Sequence, residues 1–172
     1  LKRMGINFYS VSQTPYGGDG PESKMGFTLT SYKPYLNNLK AFEIKRRELP
    51  SLIDEIPILM ILATQAVGES VIYDADELRV KETDRIHSMV TGLSKMGAKV
   101  SVEGNTIRIQ GPTPLQGAVI DSFKDHRTAM SFIVAGMIAE GETLVRDIEC
   151  INTSFPTFFE LLGQLGIDHE NL

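Results

Sequence analysis

The sequence predicts an α/β fold built from repeated strand-helix-strand-helix-strand-strand units, with apolar helices buried and sheets outside them. Three observations carry this prediction. First, Gly68-Glu69-Ser70-Val71-Ile72-Tyr73-Asp74 returns as Gly141-Glu142-Thr143-Leu144-Val145-Arg146-Asp147, each time after a helix-length apolar run. A repeat of about seventy residues marks a supersecondary building block rather than a solenoid unit. Second, Ile86, Met89, Val90, Leu93 and Met96 recur at spacings of three and four, one face of a helix. Third, two short alternating runs flank Gly104-Asn105, a hairpin signature.

The elements follow in order. Residues 1–5 read as the end of a helix, and an opening on Leu1 rather than methionine reads as a piece of something longer. Residues 7–13 and 25–32 read as strands. The Gly17-Gly18-Asp19-Gly20-Pro21 segment between them reads as a disordered loop. Residues 41–45 form an entry strand. Residues 52–66, which include Asp54-Glu55-Ile56-Pro57, are nearly all apolar and predict a helix buried on most sides. Residues 70–73 supply the next strand, 82–96 a half-exposed helix, and 100–103 with 106–110 the hairpin. Residues 118–121 begin the next unit. Asp125-His126-Arg127-Thr128 then opens a second apolar helix, and a last helix ends at Gln164-Leu165-Gly166. The expectation is a single domain over 1–172: a partial first unit at 1–40, a second at 41–117 and a third at 118–172.

Composition narrows the function classes. A chain of 172 residues can bury a core of its own. Net charge of -5 provides no strong field to gather nucleic-acid phosphates, although cations focused in a cleft still suit small anions. The longest apolar run, Ile56 to Ala63, falls well short of the ~18 residues of a membrane span. Neither nucleic acid nor membrane is therefore expected as a partner. The single Cys150 can form no internal disulfide, which suits a reducing, cytoplasmic compartment. With no cation beside it in sequence, it reads as a packing residue. No metal site is expected, because no His or Cys pair stands at ligand spacing.

The densest chemistry lies in Glu77-Leu78-Arg79-Val80-Lys81-Glu82-Thr83-Asp84-Arg85-Ile86. Lys81 and Arg85, four residues apart, are expected on one face of a helix's first turn with Glu82 beside them. Two cations and a carboxylate at a helix start suit an anionic substrate with an acid/base in reach. The same spacing also suits ordinary ion pairs on a surface helix. Asp54 and Asp125-His126-Arg127 precede the two apolar helices at equivalent places in successive units. If those units pack about a pseudo-symmetry axis, the helix starts converge on one face. Asp54 also fits a simple helix cap, Asp125 is read mainly as one, and Arg127 also fits a plain surface residue.

Four segments together resemble the 5-enolpyruvylshikimate-3-phosphate synthase family. They are Leu52-Ile53-Asp54-Glu55-Ile56-Pro57, the run Glu77 to Arg85, Asp125-His126-Arg127-Thr128-Ala129-Met130-Ser131-Phe132, and Thr153-Ser154-Phe155-Pro156. The resemblance covers essentially the whole chain but only the C-terminal portion of that two-domain enolpyruvyl transferase. It implies transfer of the enolpyruvyl group from phosphoenolpyruvate to shikimate 3-phosphate with release of phosphate, a step toward chorismate and the aromatic amino acids, without a cofactor. It also implies that the N-terminal domain is missing, so the isolated chain is expected to be inactive.

By resemblance, Asp54 matches the carboxylate that holds and deprotonates the attacking hydroxyl. Lys81 matches a lysine that contacts shikimate hydroxyls and assists proton transfer, and with Asp54 and Glu82 makes up the expected catalytic set. Glu82 matches the acid/base acting on the methylene carbon. Arg85 and Arg127 match a pair gripping the phosphoenolpyruvate carboxylate, and His126 lies near that site. Two positions depart from the family pattern: Thr153 stands where some members carry a phosphate-gripping lysine, and Glu77 where some carry Asn. Two other readings share the fold: a transferase acting on UDP-N-acetylglucosamine, and a non-catalytic binding or assembly module. The pairing of Asp125-His126-Arg127 with Lys81-Glu82-Thr83-Asp84-Arg85 favours the shikimate enzyme over the former, and retention of both acid/base candidates and both arginines weighs against the latter.

Overall fold

A computed structural model describes residues 10–16, 24–30 and 39–164, the first two stretches as backbone only. Strands β1 (Ser10–Tyr16) and β2 (Lys24–Thr30) pair antiparallel, Ser10 opposite Thr30 and Tyr16 opposite Lys24. The expected strand at 7–13 thus runs further, through Pro15. Both strands of a two-stranded pair are edges, where the missing N–H of proline is tolerated. The expected helix end at 1–5 and the loop at 17–21 lie outside the described residues.

The next unit runs β3 (Glu43–Ile44), α1 (Leu49–Leu52), α2 (Ile56–Thr64), β4 (Gly68–Ile72), α3 (Arg85–Lys95), β5 (Lys99–Glu103) and β6 (Thr106–Gly111). Its sheet has the order β3-β4-β6-β5, with β3 parallel to β4 and the other pairs antiparallel. The chain continues through β7 (Val119–Asp121), α4 (His126–Gly136), β8 (Leu144–Arg146), α5 (Cys150–Ser154) and α6 (Phe158–Gln164).

The two parallel pairs share one register. Glu43 stands opposite Val71 and Val119 opposite Leu144. Isolated parallel bridges, Lys40 with Val67 and Gln116 with Glu140, sit the same distance upstream in each. The repeated heptapeptide now has a backbone reason. Gly68 and Gly141 both hold positive φ, +106° and +87°, which only glycine adopts without strain. Asp74 and Asp147 close the strings in the left-handed region, φ 53° and 56°, a conformation enriched in Asp.

Prolines redraw the expected 52–66 helix. Pro50 and Pro57 stand in the first turns of α1 and α2, and a 3-10 turn, Ile53–Glu55, lies between them. Pro57 has no N–H to return to Ile53, so one continuous helix gives way to two. The expected helix at 82–96 likewise starts later, at Arg85. Asp84 caps it from extended backbone, accepting the His87 N–H at 3.0 Å.

The core gathers Ile56, Met60 and Ile61 of α2, Ile86, Met89 and Leu93 of α3, Phe132 of α4, and Ile72 and Ile107 of the sheet. At fewer than 2% exposed, Phe132 reaches across to α3 at Gly92, where an added Cβ would lie 2.2 Å from its Cζ. A smaller cluster, Ala129, Ile151, Phe158 and Leu162, seats α5 and α6 on the other side of α4.

Candidate active site

Three polar segments leave the C-terminal ends of parallel strands: β3 leads to Asp54, β4 to Lys81–Arg85, and β7 to Asp125–Arg127. Loops at that end of an α/β sheet are the usual place for ligand chemistry. Here the helices packed on the strands bring all three segments to one point.

Arg85 is that point. Its position follows from the sequence: Arg85, Met89 and Leu93 occupy one stripe of α3, so the guanidinium faces inward with its apolar neighbours. It is 1% exposed, and each of its nitrogens meets a different carboxylate. Nε donates to Asp125 Oδ2 at 2.7 Å, Nη1 to Asp54 Oδ1 at 3.1 Å, and Nη2 to Glu82 Oε2 at 2.6 Å. These partners hold its pKa above the ordinary arginine value even though burial alone would lower it.

Asp125 has two jobs. Its Oδ1 caps α4, accepting the N–H groups of Arg127 (2.8 Å) and Thr128 (3.1 Å), while Oδ2 serves Arg85. Like Arg85 it is buried, so the pair forms the floor of the site. Two consecutive left-handed residues, Phe123 (φ 53°) and Lys124 (φ 58°), lead into it. That costs on the order of 1–3 kcal/mol per residue. Hydrogen bonds from the Phe123 N–H to Asp121 Oδ1 and from the Lys124 N–H to Ser122 Oγ hold the turn.

Asp54 and Arg127 form the rim. Arg127 Nη2 lies 3.5 Å from Asp54 Oδ2, and its Nη1 donates to the Asp54 carbonyl (2.8 Å) and to Glu55 Oε1 (3.3 Å). Partial burial pushes the Asp54 carboxyl up. The Arg85 hydrogen bond and the charges of Arg127, Arg85 and Lys81 outweigh it and hold the group below its ordinary value. Asp54 is thus an ionised carboxylate, half exposed, wedged between two guanidiniums. Behind the floor, the buried hydroxyls of Ser88 and Thr128 meet at 3.3 Å and join α3 to α4.

Several expectations are corrected. Lys81 and Arg85 do not share a helix face: α3 begins at Arg85, and Lys81 sits in extended backbone before it. Glu82 reaches Arg85 across a bend rather than along a helix. Asp54 does not cap α2, since Glu55 occupies that position and no side chain caps the turn. Arg127 is not a plain surface residue. His126 is the first residue of α4, half-buried, and its ring makes no hydrogen bond or ion pair among the described residues. Cys150 is half-buried, donates to the Asp147 carbonyl at 3.2 Å, and burial raises its thiol pKa, which disfavours the thiolate.

Sequence reasoning missed the second role of Asp125. The available signal was Arg85 itself: an arginine on the buried stripe of a helix needs a buried counter-charge. It also missed Glu55, for which no signal existed beyond adjacency to Asp54.

A model of the EPSP synthase (3-phosphoshikimate 1-carboxyvinyltransferase) family matches residues 23–162. Among curated relatives, the 3-phosphoshikimate 1-carboxyvinyltransferase of Alkaliphilus oremlandii is 55% identical over 128 residues, 74% of this chain and 30% of its own length. That of Thermodesulfovibrio yellowstonii is 43% identical over 165 residues, 96% of this chain and 37% of its own length. The chain thus spans about a third of the length of the relatives it matches. Among solved structures, EPSP synthase from Acinetobacter baumannii superposes with a TM-score of 0.80 at 35% identity, covering 95% of this chain and 37% of that one. The enolpyruvyl transferase NikO from Streptomyces tendae shares the fold, with a TM-score of 0.62 at 20% identity over 98% of this chain and 34% of that one.

Proposed function

The chain belongs to the EPSP synthase family, and on that premise we propose that it forms part of an enzyme transferring the enolpyruvyl group of phosphoenolpyruvate to shikimate 3-phosphate, with release of phosphate. The supporting observation is the meeting of Asp54, Glu82, Arg85 and Arg127 at one rim, contributed by three separate segments. The family match favours this reading over the UDP-N-acetylglucosamine transferase.

The reaction needs a proton removed from a hydroxyl, a proton delivered to carbon, and countercharge for a carboxylate. Asp54, kept ionised by its arginines, accepts the hydroxyl proton as the oxygen bonds to C2 of phosphoenolpyruvate. Glu82, released from Arg85 and protonated from solvent, delivers that proton to C3, turning the methylene into a methyl. In the second half, the C2–O bond to phosphate breaks, C3 returns a proton to Glu82, and the departing phosphate takes the proton held by Asp54. Arg127 and Arg85 face the phosphoenolpyruvate carboxylate, for which a guanidinium fork is the matching donor. Lys81 contacts the shikimate hydroxyls, and His126 lies beside the site. No step calls for a cofactor.

We further propose that the chain is one domain with units at 1–40, 41–117 and 118–172, completed by an N-terminal domain that supplies the remaining anion-binding groups. A cytoplasmic setting suits the free Cys150 and the charged substrates. Among the described residues, no helix is long and apolar enough to cross a membrane.

The test is calorimetric titration in a protein of the family's full length that carries this sequence. Phosphoenolpyruvate is expected to bind with shikimate 3-phosphate present, and Arg127→Ala to weaken it about 10-fold or more. An unchanged affinity removes Arg127 from the carboxylate site.

A further inference from the structure

Arg79 belongs to the charged run before α3, yet the reaction proposed above uses none of its atoms. Its surroundings are nonetheless specific. Nη1 donates to Asp84 Oδ2 at 2.9 Å, Nε to Asn105 Oδ1 at 2.9 Å, and Nη2 to the Gly104 carbonyl at 3.1 Å. Three nitrogens thus serve three acceptors on two elements. Asp84 is the N-cap of α3, and Gly104-Asn105 is the turn joining β5 to β6.

The same hairpin turn holds the other end of the loop. The Ala75 N–H donates to the Asn105 carbonyl at 2.8 Å. Between the two anchors, Leu78 is buried in the core. The segment from residue 75 to residue 84, whose first half is the 3-10 helix Asp76–Val80, is therefore fastened at both ends to one turn and pinned in the middle. Lys81 and Glu82 stand between Arg79 and its partner Asp84, where the backbone bends instead of coiling. No helix fixes this stretch: Arg85 holds the Glu82 carboxylate, and the anchors hold the backbone that carries it.

We propose that Arg79 is a positioning residue: its guanidinium ties the cap of α3 to the β5–β6 turn and thereby fixes the bend that presents Lys81 and Glu82 to the site. Arg79 touches no substrate; it acts through the carboxylate of Asp84 and the backbone between them. This rests on the functional reading above only where turnover is the readout.

The experiment has two arms. In a full-length family protein carrying this sequence, kcat is measured for wild type, Arg79→Ala, Arg79→Lys, Glu82→Gln and the Arg79→Ala/Glu82→Gln double variant. Displacement of a reacting group by about 1 Å can cost roughly 100-fold, so Arg79→Ala is expected to lower kcat at least about 10-fold. Arg79→Lys, which can keep the Asp84 contact but not all three, falls in between. In the Glu82→Gln background the same Arg79→Ala change is expected to cost several-fold less than in wild type, because one of the two residues it positions is already disabled. Equal losses in both backgrounds, or no loss in either, overturn the proposal. The second arm is amide hydrogen exchange on the 172-residue chain. Arg79→Ala is expected to speed exchange at His87 and Ser88, whose N–H groups Asp84 accepts, and to leave the α2 core unchanged. Unaltered exchange at these two amides overturns the proposal whatever the kinetics show. Should Glu82→Gln turn over normally, the role given to Glu82 falls, while the exchange arm still decides whether Arg79 holds the bend.

Discussion

Arg85 and Arg127 both meet Asp54, yet burial separates what each does for the molecule. Arg85 is 1% exposed above an equally buried Asp125, whereas Arg127 keeps 30% of its side chain in solvent. Removing one member of a buried ion pair leaves the other uncompensated, so Arg85→Ala is expected to cost about 3–5 kcal/mol in denaturant unfolding. Arg127→Ala is expected to cost about 1 kcal/mol or less. Equal losses would mean that Asp125 is sufficiently served by the two N–H groups it caps. Asp54 supplies a pH signature. Its folded-state pKa is depressed, so its contribution is present above the unfolded value near 3.8 and is lost as pH falls through the lower folded value. Asp54→Asn is therefore expected to be less stable than wild type at neutral pH, with the gap closing below pH 3.8. A gap independent of pH would show that the amide fails for steric reasons instead of for its missing charge.

At the scale of elements, two helix starts and one helix crossing decide where the site forms. The sequence patterns located the longer helices and the β5–β6 hairpin to within a few residues, because apolar periodicity and the Gly104-Asn105 turn are local signals; they missed α1 and the separation of α5 from α6. They misplaced the helix starts that matter for chemistry. Pro57 was visible, but continuity of the apolar run from Leu52 outweighed it; Asp84 was visible, but Glu82 made an equally good opening. The cost fell on geometry, since a residue in a bend and a residue on a helix face point in different directions. Partners across the fold, such as Arg85 with Asp125, depend on how α3 meets α4, which no single-chain pattern states. That meeting is set by Gly92 under the ring of Phe132. Gly92→Ala adds a Cβ 2.2 Å from Cζ and 2.7 Å from Cε2, so the ring must move. Overpacking of this kind costs about 1–3 kcal/mol, against a gain of about 1 kcal/mol in helix propensity. A net loss of stability is expected, and a smaller one when Phe132→Leu is made as well. A stabilised Gly92→Ala protein would show that α3 and α4 can part without penalty.

Across the whole molecule, the site is a closed set of charges held in place by the core. Arg85 faces three carboxylates, and Arg127 faces Asp54 and Glu55. Three of the five guanidinium N–H groups of Arg85 serve these carboxylates, so a two-pronged grip on a substrate carboxylate is gained most readily when one of them moves. Asp125 is buried and committed to its cap, and Asp54 is also held by Arg127. Glu82, 51% exposed and on a bend instead of a helix, is the carboxylate best placed to yield. On the function proposed above, anion binding would be an exchange in which the ligand replaces Glu82 at Nη2 and frees that carboxyl to meet the reacting carbon. Glu82→Gln weakens the internal competitor while keeping its size, since a neutral amide binds a guanidinium less strongly than a carboxylate does. It is expected to bind phosphoenolpyruvate several-fold more tightly and to lose turnover, measured by calorimetry and by phosphate release in the same full-length protein. Weaker binding in Glu82→Gln would show that Glu82 helps hold the ligand directly and that no such exchange takes place.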